Sequence, residues 1–74
     1  MHEVDIVLER NDGMIAGIEI KAGATVTNDD FSGLRKLAEA CKGIFAFGAV
    51  LYDSDVIVPF GRILVAAPLS CIWN

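Results

Sequence analysis

The chain has 74 residues, 54% of them hydrophobic and 22% charged, with a formal net charge of −4. One domain, residues 1–74, is all that this length makes. A chain near 60 residues buries only about 60% of its unfolded surface, so this apolar content predicts surface left over for a partner, and homo-oligomerisation is the expectation. Disorder is excluded by the same content. No stretch near 18 apolar residues is free of charge, so no membrane span is expected. The start, MHEVDIVLER, is acidic where a signal peptide is basic and then apolar, which points to the cytoplasm.

Ten Asp and Glu stand against six Lys and Arg, and Arg35-Lys36 is the only close basic pair. Affinity for phosphate backbones comes from clustered Lys and Arg, so nucleic acid is not the expected partner. Cys41 and Cys71 lie far apart, without CxxC spacing and with a single histidine, His2. Four zinc ligands cannot be assembled from these, and the cysteines read as small hydrophobes in a reducing compartment.

Residues 3–10 alternate polar and apolar, with Glu3 and Asp5 against Val4, Ile6 and Leu8, and residues 14–22 do likewise. A period of two predicts half-buried strands. Asn11-Asp12-Gly13 between them is a turn sequence, so the two strands should form an antiparallel hairpin. A three-residue loop sets Ile6 opposite Ile18, Val4 opposite Ile20 and Leu8 opposite Ala16. On the other face it sets Asp5 opposite Glu19 and Glu3 opposite Lys21. A two-residue loop would mix the faces, as any one-residue slip does. A helix over roughly 28–42 follows: Thr27 or Asn28 caps it, and Thr27-x-x-Asp30 has the form of a capping box. Phe31, Leu34, Leu37, Ala38 and Cys41 recur at helical spacing, and Gly43 ends it.

Residues 44–52 are apolar on both faces, as in a central covered strand. Residues 56–58 and 63–67 read as two further strands around the turn Pro59-Phe60-Gly61-Arg62, and Pro68 opens a last short segment. The order strand, strand, helix, strand, strand, strand predicts an α/β (α+β) fold. Its mixed β-sheet has an N-terminal hairpin, with one main helix as the crossover. Trp73 should be folded onto the core or held in a subunit interface, while His2 and Arg62 read as solvated.

Asp5, Glu19 and Lys21 are the candidate site. Carboxylates directly across a ladder, with Cβ atoms about 5 Å apart, repel unless a proton or cation sits between them. Hard oxygens at that distance suit Mg²⁺, with Asp5 and Glu19 as ligands. Lys21, on the same face, could steady negative charge developing on a phosphate, which is the minimal logic of metal-dependent phosphodiester hydrolysis. The same residues also read as an ordinary solvated, salt-bridged face.

Glu3-Val4-Asp5-Ile6-Val7-Leu8-Glu9, Gly17-Ile18-Glu19-Ile20-Lys21-Ala22, Asp30-Phe31-x-Gly33-Leu34, Val50-Leu51-Tyr52, Pro59-Phe60-Gly61 and Pro68-Leu69-Ser70 occur in that order. Together they resemble the C-terminal domain of unknown function that follows the ATPase module in many prokaryotic AAA+ ATPase-like proteins. That domain is similar to the PD-(D/E)xK, or restriction-endonuclease-like, superfamily. The resemblance places Asp5 at the motif aspartate and Glu19-x-Lys21 at the (D/E)xK. Val4 stands where the motif name has proline.

The upstream helix and leading strand of that fold, and the ATPase module, have no counterpart here, and the absence of GxxxxGK[ST] excludes ATP hydrolysis. The resemblance thus implies an endonuclease-like core truncated at its N-terminus and without autonomous catalysis, which persists as a small homo-oligomer. Mg²⁺-dependent nuclease activity and docking on another protein are the alternatives.

Overall fold

The computed structural model describes residues 4–73, with side chains as far as Cys71. His2, Glu3 and the Trp73 side chain lie outside the described residues. A mixed five-stranded sheet, in the order β1-β2-β3-β5-β4, carries one helix. Its strands are β1 (Ile6–Glu9), β2 (Ile15–Ile20), β3 (Phe45–Tyr52), β4 (Val58–Pro59) and β5 (Leu64–Pro68). The α/β class expected from the sequence is the class observed.

β1 and β2 form the hairpin in the three-residue register, with Ile6 opposite Ile18, Val7 opposite Gly17 and Leu8 opposite Ala16. The Arg10 N–H donates to Met14 O at 2.8 Å and the Gly13 N–H to Arg10 O at 3.0 Å. Gly13, at φ +87°, takes the left-handed conformation that a three-residue loop needs at its third position. Asp12 fastens the turn: it accepts the Met14 N–H and pairs with Arg10, which holds its carboxyl down at about 2.

After β2 the chain crosses over through a 3-10 segment, Asn28–Phe31, and the helix α1, Ser32–Ala40, to β3, which pairs parallel with β2. The expected helix over 28–42 is therefore shorter, opening as 3-10 and stopping before Cys41. Residues 56–58 were expected as a strand, yet only Val58–Pro59 pairs, at the sheet edge, where a proline is tolerated.

α1 lies on the face of the sheet that carries Gly17, Gly48, Val50, Leu64 and Ala66, the side that also holds Glu19. A Cβ on Gly17 would meet Leu34 Cδ2 at 2.7 Å and Leu37 Cδ2 at 3.0 Å, and one on Gly48 would meet Leu34 Cδ1 at 3.3 Å. Gly17 and Gly48 are register partners, so the pair forms a hollow that seats Leu34. Phe31, Leu34, Val50 and Ala66 are fully buried there. Phe60, delivered by the Pro-Phe-Gly turn, stacks on Phe31 with ring centroids 4.6 Å apart, and the Arg35 guanidinium lies 5.8 Å from the Phe31 centroid.

The opposite face is Ile6, Leu8, Ala16, Ile18, Ile20, Phe47, Ala49, Leu51, Val65 and Ala67, apolar throughout. The 3-10 segment Leu69–Trp73 reaches one half of it, where Leu69 packs with Ala49, Leu51 and Ala67. Among the described residues nothing covers the half nearer the hairpin edge, where Ile6, Leu8 and Ile20 of β1 and β2 and Phe47 of β3 are exposed. Alternation alone predicts the apolar side of a strand inward and the charged side outward. Here the helix takes the other side, because only there do glycines let it approach. Val4 also departs from its expected place opposite Ile20: Asp5 bends the chain, and Val4 packs beside Gly17, Leu34 and Leu37 on the helix side.

Candidate functional site

Asp5, Glu19 and Lys21 gather where β1 begins, β2 ends and the crossover enters its helix. Asp5 falls just outside the ladder, and its Oδ2 accepts the Ile20 N–H at 2.8 Å. The carboxylate thereby satisfies a strand-end donor that the bent backbone cannot reach. Lys21 N–H continues the other side of β2 by donating to Leu51 O at 2.8 Å. Its Nζ donates to Asp30 Oδ2 at 2.7 Å in a partly buried ion pair. The same Asp30 oxygen accepts the Thr27 N–H at 2.8 Å, which completes the capping box read from Thr27-x-x-Asp30. Lys21 and Thr27 together hold the Asp30 carboxyl below its usual range.

Glu19 has no such partner in the cluster. Burial, and then the negative charges of Asp5 and Asp30, raise its carboxyl above the ordinary value. With Lys21, Ala22, Asp29, Asp30, Ser32 and Gly33 it lines an open cleft of about 340 Å³. Asp5 does not line this cleft, although its charge is felt at Glu19. Glu19 and Lys21 therefore share a concave site whose lining does not include Asp5.

Mg²⁺ prefers near-ideal octahedral oxygen coordination, with one or two carboxylates free to bind it. Asp5 already accepts a backbone N–H, and Asp30 is committed to a lysine and a cap. Among the described residues no group of three or more His, Cys, Asp or Glu side chains is arranged to hold a metal ion. As placed, the described carboxylates do not form a metal-binding group. What the cluster does chemically is hold the two strands and the helix start together, with Glu19 made easier to protonate by burial and neighbouring negative charge.

Asp30 is the member that sequence reasoning placed only as a cap residue. Its second role, as the counter-ion of Lys21, depends on the crossover folding back over the end of β2. Cys41 and Cys71 are both free. Among the described residues no helix is long and apolar enough to cross a membrane.

A five-stranded mixed sheet with one crossover helix and an acidic cleft at the strand end is the class of domain that fold and site define. Residues 1–72 match the family described as a domain of unknown function (DUF4143), and the chain belongs to that family. No curated protein and no solved structure matches it.

Proposed function

We propose that this domain works by self-association rather than by catalysis, as a cytoplasmic, prokaryotic protein derived from a PD-(D/E)xK-like core. The apolar half of the sheet that no described residue covers carries the reading, with Ile6, Leu8, Ile20 and Phe47 all exposed on one face. Contiguous patches of that kind mark interaction sites on soluble proteins. The site chemistry supports an absence of catalysis, since Asp5 Oδ2 accepts the Ile20 N–H and Lys21 Nζ pairs with Asp30. Sedimentation or light scattering at about 10–100 µM, the range expected for a small interface, should give a mass above 7.9 kDa. A monomer throughout that range would refute the reading.

Glu19 and Lys21 lining one cleft favour a second reading, Mg²⁺-dependent phosphodiester hydrolysis by Asp5, Glu19 and Lys21. Pure protein with Mg²⁺ or Mn²⁺ should leave plasmid and single-stranded DNA intact, and Asp5→Ala should behave identically. Metal-dependent cleavage that Asp5→Ala abolishes would replace the first reading with this one.

A further inference from the structure

We infer that the occupant of the bare sheet face is a second copy of this chain, stacked hairpin on hairpin about a two-fold axis. This rests on the self-association reading and adds where and how the copies meet. The strip is bounded on one side by the Leu69–Trp73 segment and on the other by the open edge of β1. It is two to three strands across, roughly 10–15 Å. A β1–β2 hairpin from another copy has the same width, and two such sheets pack about 10 Å apart with their apolar sides interleaved. Small Ala16 lies between the larger Leu8, Ile18 and Phe47. The surface is thus ridged enough to mesh with itself, as an isologous interface requires.

Charge favours this face over the helix side. Two copies at net charge −4 repel. The carboxylates of Glu19, Asp29 and Asp30 cluster at the cleft on the helix side, whereas no strand position of the open face carries a charge. It is a surface on which two acidic copies can meet without setting strand carboxylates against each other. Area agrees: the accessible surface of 4838 Å² is about 400 Å² above that expected of a compact 7.9 kDa monomer. That excess is about half of what each partner contributes to a standard interface, which points to a small one.

A different geometry for two copies is edge pairing of β1 with β1. Because Arg10 bonds Met14, alternation turns the N–H of Val7 toward the open edge. Val7→Pro removes that donor and blocks edge pairing without touching the hairpin ladder.

Sedimentation equilibrium on the full chain tests the proposal, with circular dichroism to verify that each variant is folded. Ile20→Lys and Leu8→Lys, at exposed positions on the proposed interface, should each weaken dimerisation by about tenfold or more. Val7→Lys, on the opposite face of the same strand, and Val7→Pro should leave the dimer unchanged. If Val7→Pro abolishes the dimer while Ile20→Lys and Leu8→Lys leave it intact, the stacking is overturned in favour of edge pairing. A dimer indifferent to all four variants overturns this interface but leaves self-association standing, whereas a monomeric wild type overturns both.

Discussion

Gly17→Ala puts one methyl group into the closest approach between sheet and helix. The new Cβ would lie 2.7 Å from Leu34 Cδ2, 3.0 Å from Leu37 Cδ2 and 3.3 Å from Val4 Cγ1. A flexible side chain could turn away from one such contact, but Leu34 is fully buried and its other methyl already faces Gly48 at 3.3 Å from a Cβ built there. Turning off one glycine drives Leu34 toward the other, so the helix itself must move. Overpacking of this kind costs about 1–3 kcal/mol. Gly17 is not at positive φ, so alanine recovers about 0.4–1 kcal/mol by restricting the unfolded chain. The net loss then centres on about 1.3 kcal/mol, within about 0–2.6 kcal/mol, a large share of the roughly 4–11 kcal/mol that a domain of this length has in total. Thermal unfolding followed by circular dichroism should show Tm falling by about 5–15 °C. In a Leu34→Ala background the same substitution should lose most of its effect, because residues in contact couple. An unchanged or raised Tm for Gly17→Ala, or an undiminished loss beside Leu34→Ala, would refute the idea that these glycines seat the helix.

Glu19→Gln should stabilise the protein at neutral pH. Its carboxyl is raised in the folded state, so its ionisation costs stability wherever both states are charged, and that cost is relieved as pH falls through the folded value. Denaturant titrations should therefore show the advantage of Glu19→Gln shrinking on acidification; an advantage that grows in acid would be the wrong sign. Asp12 is shifted oppositely, down to about 2 from an ordinary 3.8, so its contribution is whole above about pH 4 and lost as pH falls through 2. Asp12→Asn should flatten stability across that window. Asp30→Ala removes a cap acceptor as well as the partner of Lys21, and should cost about 1–2 kcal/mol. Lys21→Met leaves the cap intact and should cost less than Asp30→Ala in the same melts. The reverse order would mean that the ion pair, not the cap, holds the crossover.

The hairpin register was legible because Asn-Asp-Gly names its own turn and period-two alternation rejects a slip. The capping box and the crossover helix were legible for the same reason, since caps and periodicity act within a few residues. What escaped depends on contacts between distant segments. Nothing local says that Leu34 sits in a hollow made by Gly17 and Gly48, so the choice of face for the helix had to come from the structure. Lys21 meets Asp30 only after the chain has folded back, and Val4 leaves its strand because Asp5 spends its side chain on Ile20 N–H. The triad Asp5, Glu19 and Lys21 could be found by pattern. That two of its members are already engaged could not.

Parallel pairing of β2 with β3 also orders events in time. The β1–β2 hairpin closes over three residues and can form in about 1–10 µs, but alone it buries little and such ribbons are marginal in water. The β2–β3 ladder begins only after the whole crossover has been looped back, an entropic toll levied before its hydrogen bonds return anything. The barrier to folding therefore lies at docking α1 and β3 onto a hairpin that opens and closes many times beforehand. Leu34 between Gly17 and Gly48 is the contact at which that docking is decided. Gly17→Ala should accordingly slow refolding more than it speeds unfolding.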